Sequence, residues 1–222
     1  MLKIRDKSKY LAVSILIGGK SIRFGSDKGL FKFLGKPLIS YQLDTLVQGN
    51  HDVFLVASSK EQVQKYINQI DIKKITAFII DDNDVLNDLN ARTPMKGLYS
   101  ASKELNNLEY EKTLVLACDN PLIQYNVIKL LIKESFGYDC CIPQWNNSFI
   151  EPLFAIYSIE KLLKKAKENL DINNLKLSSL LDKRWKIKFL SIENAIKPID
   201  KKLLTFININ TPKDIQNLVS EH

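Results

Sequence analysis

Apolar residues fall in short, closely spaced runs along the chain, separated by stretches whose apolar positions recur at helical spacing. Leu11-Ala-Val-Ser-Ile-Leu-Ile17 reads as a buried strand, and similar runs predict strands at Val53–Ala57, Ile75–Ile80, Thr113–Ala117, Tyr138–Ile142, Leu153–Tyr157, Lys186–Leu190 and Leu204–Ile207. Helical patterns lie between them at Leu38–Gln48, Lys60–Gln69, Lys96–Leu105, Leu122–Glu134, Ile159–Asn169, Leu175–Leu181 and Pro212–Val219. The first half alternates strand and helix, which predicts an α/β fold: three layers around a doubly wound, mostly parallel sheet. The second half alternates less regularly and predicts an antiparallel strand or ribbon. No repeat, low-complexity tract or linker divides the chain, so a single domain over residues 1–222 is expected.

Composition narrows the classes. At 222 residues, with 45% hydrophobic, the chain is long enough to bury a full core. No apolar run is long enough to span a bilayer, and the opening MLKIRDKSKY has no apolar segment ahead of a cleavage site. A cytoplasmic protein with no membrane contact is expected. Cys118, Cys140 and Cys141 form neither a disulfide framework nor a C-x-x-C pair and read as small buried hydrophobes. The net charge of +7 comes without an Arg-rich arm, a zinc finger or basic heptads, so no nucleic-acid partner is expected. A basic cleft for polyphosphate fits the sign, as do solvated faces such as Lys161, Lys164, Lys165 and Lys167. His51 and His222 have no Ser or Cys partner in a recognisable motif, which argues against a His-based nucleophilic mechanism.

The chemistry concentrates where the first strand ends. Leu16 to Lys28 reads LIGGKSIRFGSDK: a glycine pair, Gly18 and Gly19, then Lys20, Arg23 and Lys28. Exposed backbone N–H groups and cations make a phosphate cradle, at the strand end where open α/β sheets bind nucleotides. The spacing is neither that of a P-loop nor G-x-G-x-x-G, and a plain strand-to-helix turn with solvated lysines remains an alternative. Phe31 to Leu34, Gly35 and Pro37 then predict a small hairpin-like excursion running into a helix. Lys112 to Pro121 is an apolar strand ending at Asp119-Asn120-Pro121, where Asp119 either caps a helix or holds Mg²⁺ beside a triphosphate. Ile79-Ile80-Asp81-Asp82 ends a strand in carboxylates, or forms a solvated acidic turn. Asn208 and Asn210 flank an apolar residue and share one side of an extended segment, while Thr211 and Pro212 suit a helix start.

Gly18, Gly19, Ser21, Arg23, Gly25, Asp27 and Lys28 fall in register on L-A-G-G-x-S-x-R-M-G-x-D-K, with Ile17 and Phe24 at the Ala and Met positions. Gly35, Pro37 and Leu38 match the G-x-P-L that follows, and Cys118-Asp119-Asn120-Pro121 matches C-D-x-P. Thr93-Pro94-Met95-Lys96-Gly97 resembles G-P-L-x-G with Thr93 in place of the first Gly, and Asn208 to Ile215 resembles N-x-N-T-P-[ED]-[DE]-L. In these segments the chain resembles the molybdenum cofactor guanylyltransferases, the MobA-type family.

That resemblance implies a Rossmann-like sheet of the nucleotide-diphospho-sugar transferase kind. It implies Mg²⁺-dependent transfer of GMP from GTP to the terminal phosphate of Mo-molybdopterin, with contacts to other molybdenum cofactor biosynthesis proteins. By position, Lys28, Arg23 and Asp119 would be catalytic, with Asp119 the metal ligand. Leu16, Ile17, Gly18, Gly19, Lys28, Asp82, Asp119 and Asn210 would bind the nucleotide. Asp81 takes the place of Asp82 if the register slips by one, and Asn210 is preferred to Asn208. Glu151, ahead of the strand at Leu153–Tyr157, is expected on the acceptor side. Ser58 stands where the family often has an Asn. The rivals are a sugar- or polyol-phosphate uridylyl- or cytidylyltransferase, which would more often carry Pro-Lys than Asp27-Lys28, and a cytidylyltransferase acting on the same cofactor. A non-catalytic nucleotide-binding module is disfavoured by the presence of Lys28 and Asp119.

Overall fold

The computed structural model describes residues 9–18, 27–81, 93–211 and 214. A seven-stranded sheet has the order β5-β4-β1-β6-β8-β7-β9, formed by β1 (Leu11–Leu16), β4 (Asp52–Ala57), β5 (Ala77–Ile80), β6 (Lys112–Ala117), β7 (Cys140–Gln144), β8 (Phe154–Ser158) and β9 (Ile187–Ser191). β1 runs parallel to β4 and β6, β4 to β5, and β7 to β9. Only β8 is antiparallel, to β6 and β7. The sheet is therefore the mostly parallel one expected, with the antiparallel strand in the second half.

The centre of the sheet is covered on both faces, which is why β1 and β6 are near-continuous apolar runs rather than alternating ones. Val13, Ile15, Leu114 and Leu116 pack with residues of α1 (Leu38–Leu46), α2 (Lys60–Ile67) and α4 (Tyr125–Glu134). On the other face, Ala12, Phe54 and Val56 meet α3 (Pro94–Asn107) and α5 (Ile159–Asp171), and Val115 meets both helices as well. Each fully buried Leu, Ile or Val contributes roughly 1.5–3 kcal/mol relative to exposure.

Local signals explain the element ends. β2 (Lys32–Phe33) and β3 (Lys36–Pro37) pair antiparallel across Leu34-Gly35, whose φ values of 47° and 80° are those of a two-residue hairpin turn. Ser59 caps α2 by accepting the Gln62 N–H, and Thr93 caps α3 by accepting the Lys96 N–H, with Pro94 at its first turn. Thr93 thus does a capping job where the resembled motif has Gly.

Two expected elements are different. Leu204–Ile207 is not a strand: Asp200 takes the backbone N–H groups of Leu204 and Thr205 at 3.0 and 2.9 Å, and the left-handed Leu203 feeds a short 3-10 turn over Leu204–Phe206. Leu175–Leu181 forms only a 3-10 turn over Leu177–Leu180, because Asn174 and Ser179 spend their side chains on the local backbone. The expected helix Pro212–Val219 lies, apart from Asp214, outside the described residues. No helix among the described residues is long and apolar enough to cross a membrane.

Candidate active site

The C-terminal ends of β1 and β6 meet at one ion pair. Lys28 opens a 3-10 turn capped by Asp27, and its Nζ lies 2.9 Å from Asp119 Oδ2 and 2.7 Å from Asn210 Oδ1. Asp119 stands just beyond β6. Its carbonyl accepts the Ile209 N–H at 2.8 Å, which draws the C-terminal segment onto it. Ile209 is fully buried, so Asn208 and Asn210 are left exposed on either side of it. Asn210 is fixed further: its N–H and that of Thr211 donate to Asp214 Oδ2 at 2.7 and 2.8 Å. Those donors, the Asn210 N–H foremost, hold the Asp214 carboxyl below the usual carboxylate range. The structure brings Asn210, rather than Asn208, to Lys28.

Asp27 has a different task. Its Oδ1 accepts Tyr66 OH at 2.6 Å and the Gly29 N–H at 3.2 Å, and its Oδ2 accepts the Gln62 amide. The same Gln62 Nε2 donates to the Ile17 carbonyl at 2.8 Å. One buried amide therefore ties the end of the first strand to the residue before Lys28. Gln62 Oε1 accepts both the N–H and the hydroxyl of Ser58, at 2.8 and 3.1 Å, so Ser58 is committed to this clamp. Sequence reasoning missed Gln62 and Tyr66. The Ser59-x-x-Gln62 pattern was the available signal for Gln62, and nothing local marked Tyr66.

On the β1–β5 side two glycines stand where segments pack too closely for a side chain. A Cβ at Gly18 would lie 3.3 Å from Ser58 N and 3.5 Å from Asp81 Oδ2, and one at Gly97 3.2 Å from Leu16 Cδ2 and 3.7 Å from Asp81 Oδ1. Asp81 is buried, with its N–H on the Ala57 carbonyl at 2.8 Å. Leu16 ends the first strand, Ile17 and Gly18 follow it, and Asp81 packs beside Gly18. Gly19, Arg23 and Asp82 lie outside the described residues.

On the β8 side the wall is built of side chains. Trp145 Nε1 donates to Glu151 Oε1 at 2.7 Å, and Phe206 meets Trp145 and Phe154 edge-on, with centroids 5.6 and 5.5 Å apart. Burial pushes the Glu151 carboxyl up. The Trp145 N–H opposes this, and the nearby charge of Asp119 adds to it.

The other titratable candidates stay out of the chemistry. The thiols of Cys118, Cys140 and Cys141 are buried and pushed up by that burial, Cys141 to about 12, so none is a thiolate near neutrality. His51 precedes β4, at the N-terminal end of the strand and away from the site, where burial lowers its value.

Two hard oxygens, Asp119 Oδ2 and Asn210 Oδ1, already converge on one positive charge, the Lys28 ammonium. That donor set fits Mg²⁺, which takes one or two protein oxygens and completes its shell with water and phosphate. Among the described residues no group of three or more His, Cys, Asp or Glu could enclose a metal.

The model of the MobA-like NTP transferase domain matches residues 13–184. A protein from Pyrococcus horikoshii named probable molybdenum cofactor guanylyltransferase is 32% identical, over 92% of this chain and 97% of its own length. A protein of the same name from Methanosarcina mazei is 25% identical, over 96% of this chain and 92% of its own. The crystal structure of molybdopterin-guanine dinucleotide biosynthesis protein A from Archaeoglobus fulgidus superposes with a TM-score of 0.73. It is 24% identical, covering 95% of this chain and 100% of that one, a likeness of fold.

Proposed function

The chain belongs to the MobA-like NTP transferase family, and we propose that it transfers GMP from GTP to the terminal phosphate of Mo-molybdopterin, releasing pyrophosphate. The observation that carries this reading is the Lys28 ammonium held between Asp119 and Asn210, just beyond the end of β6. An acceptor phosphate oxygen is already anionic, so the reaction asks for alignment and charge neutralisation rather than a strong base. Lys28 neutralises charge on the transferred phosphoryl group and the departing pyrophosphate. Gly18 lets phosphate approach the backbone. Asp119 and Asn210 are the residues that would hold Mg²⁺, which when bound supplies further charge neutralisation at phosphate oxygens. Arg23 and Gly19 keep the phosphate-binding roles their motif positions imply, and Asp81 or Asp82 reads the guanosine.

Thermal unfolding with Mg²⁺ and, separately, GTP, CTP, UTP and ATP tests the assignment. A nucleotide at about 100 times its Kd adds roughly 2.7 kcal/mol, or about 5–10 °C in Tm for a domain of this size. A shift with GTP alone supports the reading. A preference for CTP or UTP transfers the chain to the rival chemistry, and no shift with any nucleotide overturns the substrate assignment.

A further inference from the structure

Glu151 is held more firmly than a strand connection requires. Its N–H donates to the Pro143 carbonyl at 3.1 Å, and its own carbonyl accepts the Phe154 N–H at 3.0 Å. Trp145, its indole partner, is fixed by a 2.8 Å bond from its N–H to the Phe149 carbonyl, in a loop closed by a bridge between Gln144 and Ile150. Glu151 Oε1 takes the indole N–H, while Oε2 has no hydrogen-bond partner among the described residues.

This pair stands at the catalytic centre. Leu153 accepts the Ala117 N–H at 3.2 Å, so the Glu151-Pro152-Leu153 segment runs beside the end of β6, two residues before Asp119. Phe206, which meets Trp145, lies on the segment whose Ile209 is bonded to Asp119. In the sheet order the nucleotide wall at β1, β4 and β5 lies on one side of β6, and β8 on the other.

An ionised carboxylate only accepts hydrogen bonds and has room for about four. With one taken by Trp145, Glu151 suits a ligand that offers two adjacent N–H donors on a flat edge. A 2-amino-4-oxopteridine presents that edge, through its ring N3–H and its 2-amino group, and its flat face suits neighbouring aromatic rings.

We propose that Glu151 is the specificity-determining residue of the acceptor side, its carboxylate, held by Trp145, receiving the paired N–H donors of the pterin beside the Trp145 and Phe206 rings. This rests on the acceptor being a pterin, as read above, and not on the donor nucleotide being GTP. Guanine carries the same donor edge, so the two sources must be separated by experiment.

The test is calorimetric titration of the full chain with 6-carboxypterin and with 6-carboxylumazine, in which a carbonyl replaces the 2-amino donor. Each is titrated with and without Mg²⁺ and a non-hydrolysable GTP analogue. Wild-type protein is expected to prefer the pterin by about tenfold or more, the scale of one hydrogen bond to a charged group. Glu151→Gln should abolish that preference, with unchanged affinity for the GTP analogue. Equal affinity for the two ligands in wild-type protein overturns the proposal without need of a variant. So does a preference that survives Glu151→Gln, or a pterin displaced by the GTP analogue, which would make Glu151 a reader of the nucleotide base. A Glu151→Gln protein that loses Mg²⁺ affinity but keeps the pterin preference would make the carboxylate a metal ligand instead. Failure to bind GTP alongside normal pterin discrimination would sink the proposed donor and leave this inference standing.

Discussion

The two walls beside Lys28 and Asp119 are built on opposite principles. The β1–β5 wall has been cleared: Gly18 and Gly97 face Asp81, and an added Cβ at either would be within 3.2–3.3 Å of a neighbour. The β8 wall has been filled, with Trp145, Phe154 and Phe206 packed edge to face around one carboxylate. A cleared wall brings backbone N–H groups close to a ligand and suits phosphate. A filled wall offers flat apolar faces and a fixed acceptor and suits a heterocycle. Topology underlies the difference. Parallel β1 and β4 deliver their C-terminal ends to the site, where right-handed crossovers leave a crevice. Antiparallel β8 instead begins there, and the loop that leads into it carries the side chains.

The largest expected effect falls between the walls. Lys28→Ala should lower turnover roughly 100-fold or more, as the loss of one charge-stabilising donor does. Pyrophosphate release under saturating substrates reads this directly, and near-wild-type turnover would remove Lys28 from the mechanism. Next is Tyr66→Phe, which deletes the 2.6 Å bond from a fully buried hydroxyl to Asp27. Loss of a hydrogen bond to a charged group costs about 1.5–3 kcal/mol, seen as a lower urea midpoint at unchanged slope. Because the clamp serves the β1 side, nucleotide affinity should fall while pterin affinity holds. A fall in both would show that the walls are mechanically coupled.

The same contrast governed what the sequence could reveal. Lys28, Asp119 and Asn210 lie in short motifs, so the family resemblance nominated them where the local pattern left alternatives, and the structure brings the three into one contact. The sheet was readable because buried central strands are apolar runs bounded by glycine and polar turns. Leu204–Ile207 misled because Leu-Thr-Phe-Ile has the composition of a strand, while the carboxylate that coils it, Asp200, lies outside the run. Gln62 and Tyr66 were hidden for a related reason. Their partner Asp27 is more than thirty residues away, and on α2 a tyrosine reads as ordinary core. Trp145 was hidden too, since Asn146-Asn147-Ser148 signals a turn without telling that the turn brings Trp145 onto Glu151.

A smaller effect separates the walls from the other direction. Gly18→Ala puts a Cβ 3.3 Å from Ser58 N and 3.4 Å from Ser58 Cβ, so the backbone at the end of β1 must shift by a few tenths of an ångström. About a tenfold loss of nucleotide affinity, near 1.4 kcal/mol, is expected with no change in pterin affinity. Titration of each ligand against the variant checks it, and unaltered nucleotide binding would mean that the cleared wall does not touch the phosphates.

The smallest effect is the pH dependence of stability contributed by Glu151. Burial, ahead of the opposing Trp145 N–H and reinforced by Asp119, raises its carboxyl in the folded chain. A raised carboxyl favours the folded state at low pH, and that contribution is lost as pH rises through the folded value. Glu151→Gln removes the buried charge, so its stability relative to wild type should be greatest at pH 7–8 and should shrink as pH falls through the ordinary carboxylate range, near about 4.3. Urea unfolding of both proteins at several pH values measures the trend. The opposite trend would mean that the Trp145 N–H more than offsets the cost of burial. The filled wall would then be a settled structural ion site, with no tension left for a ligand's N–H donors to relieve.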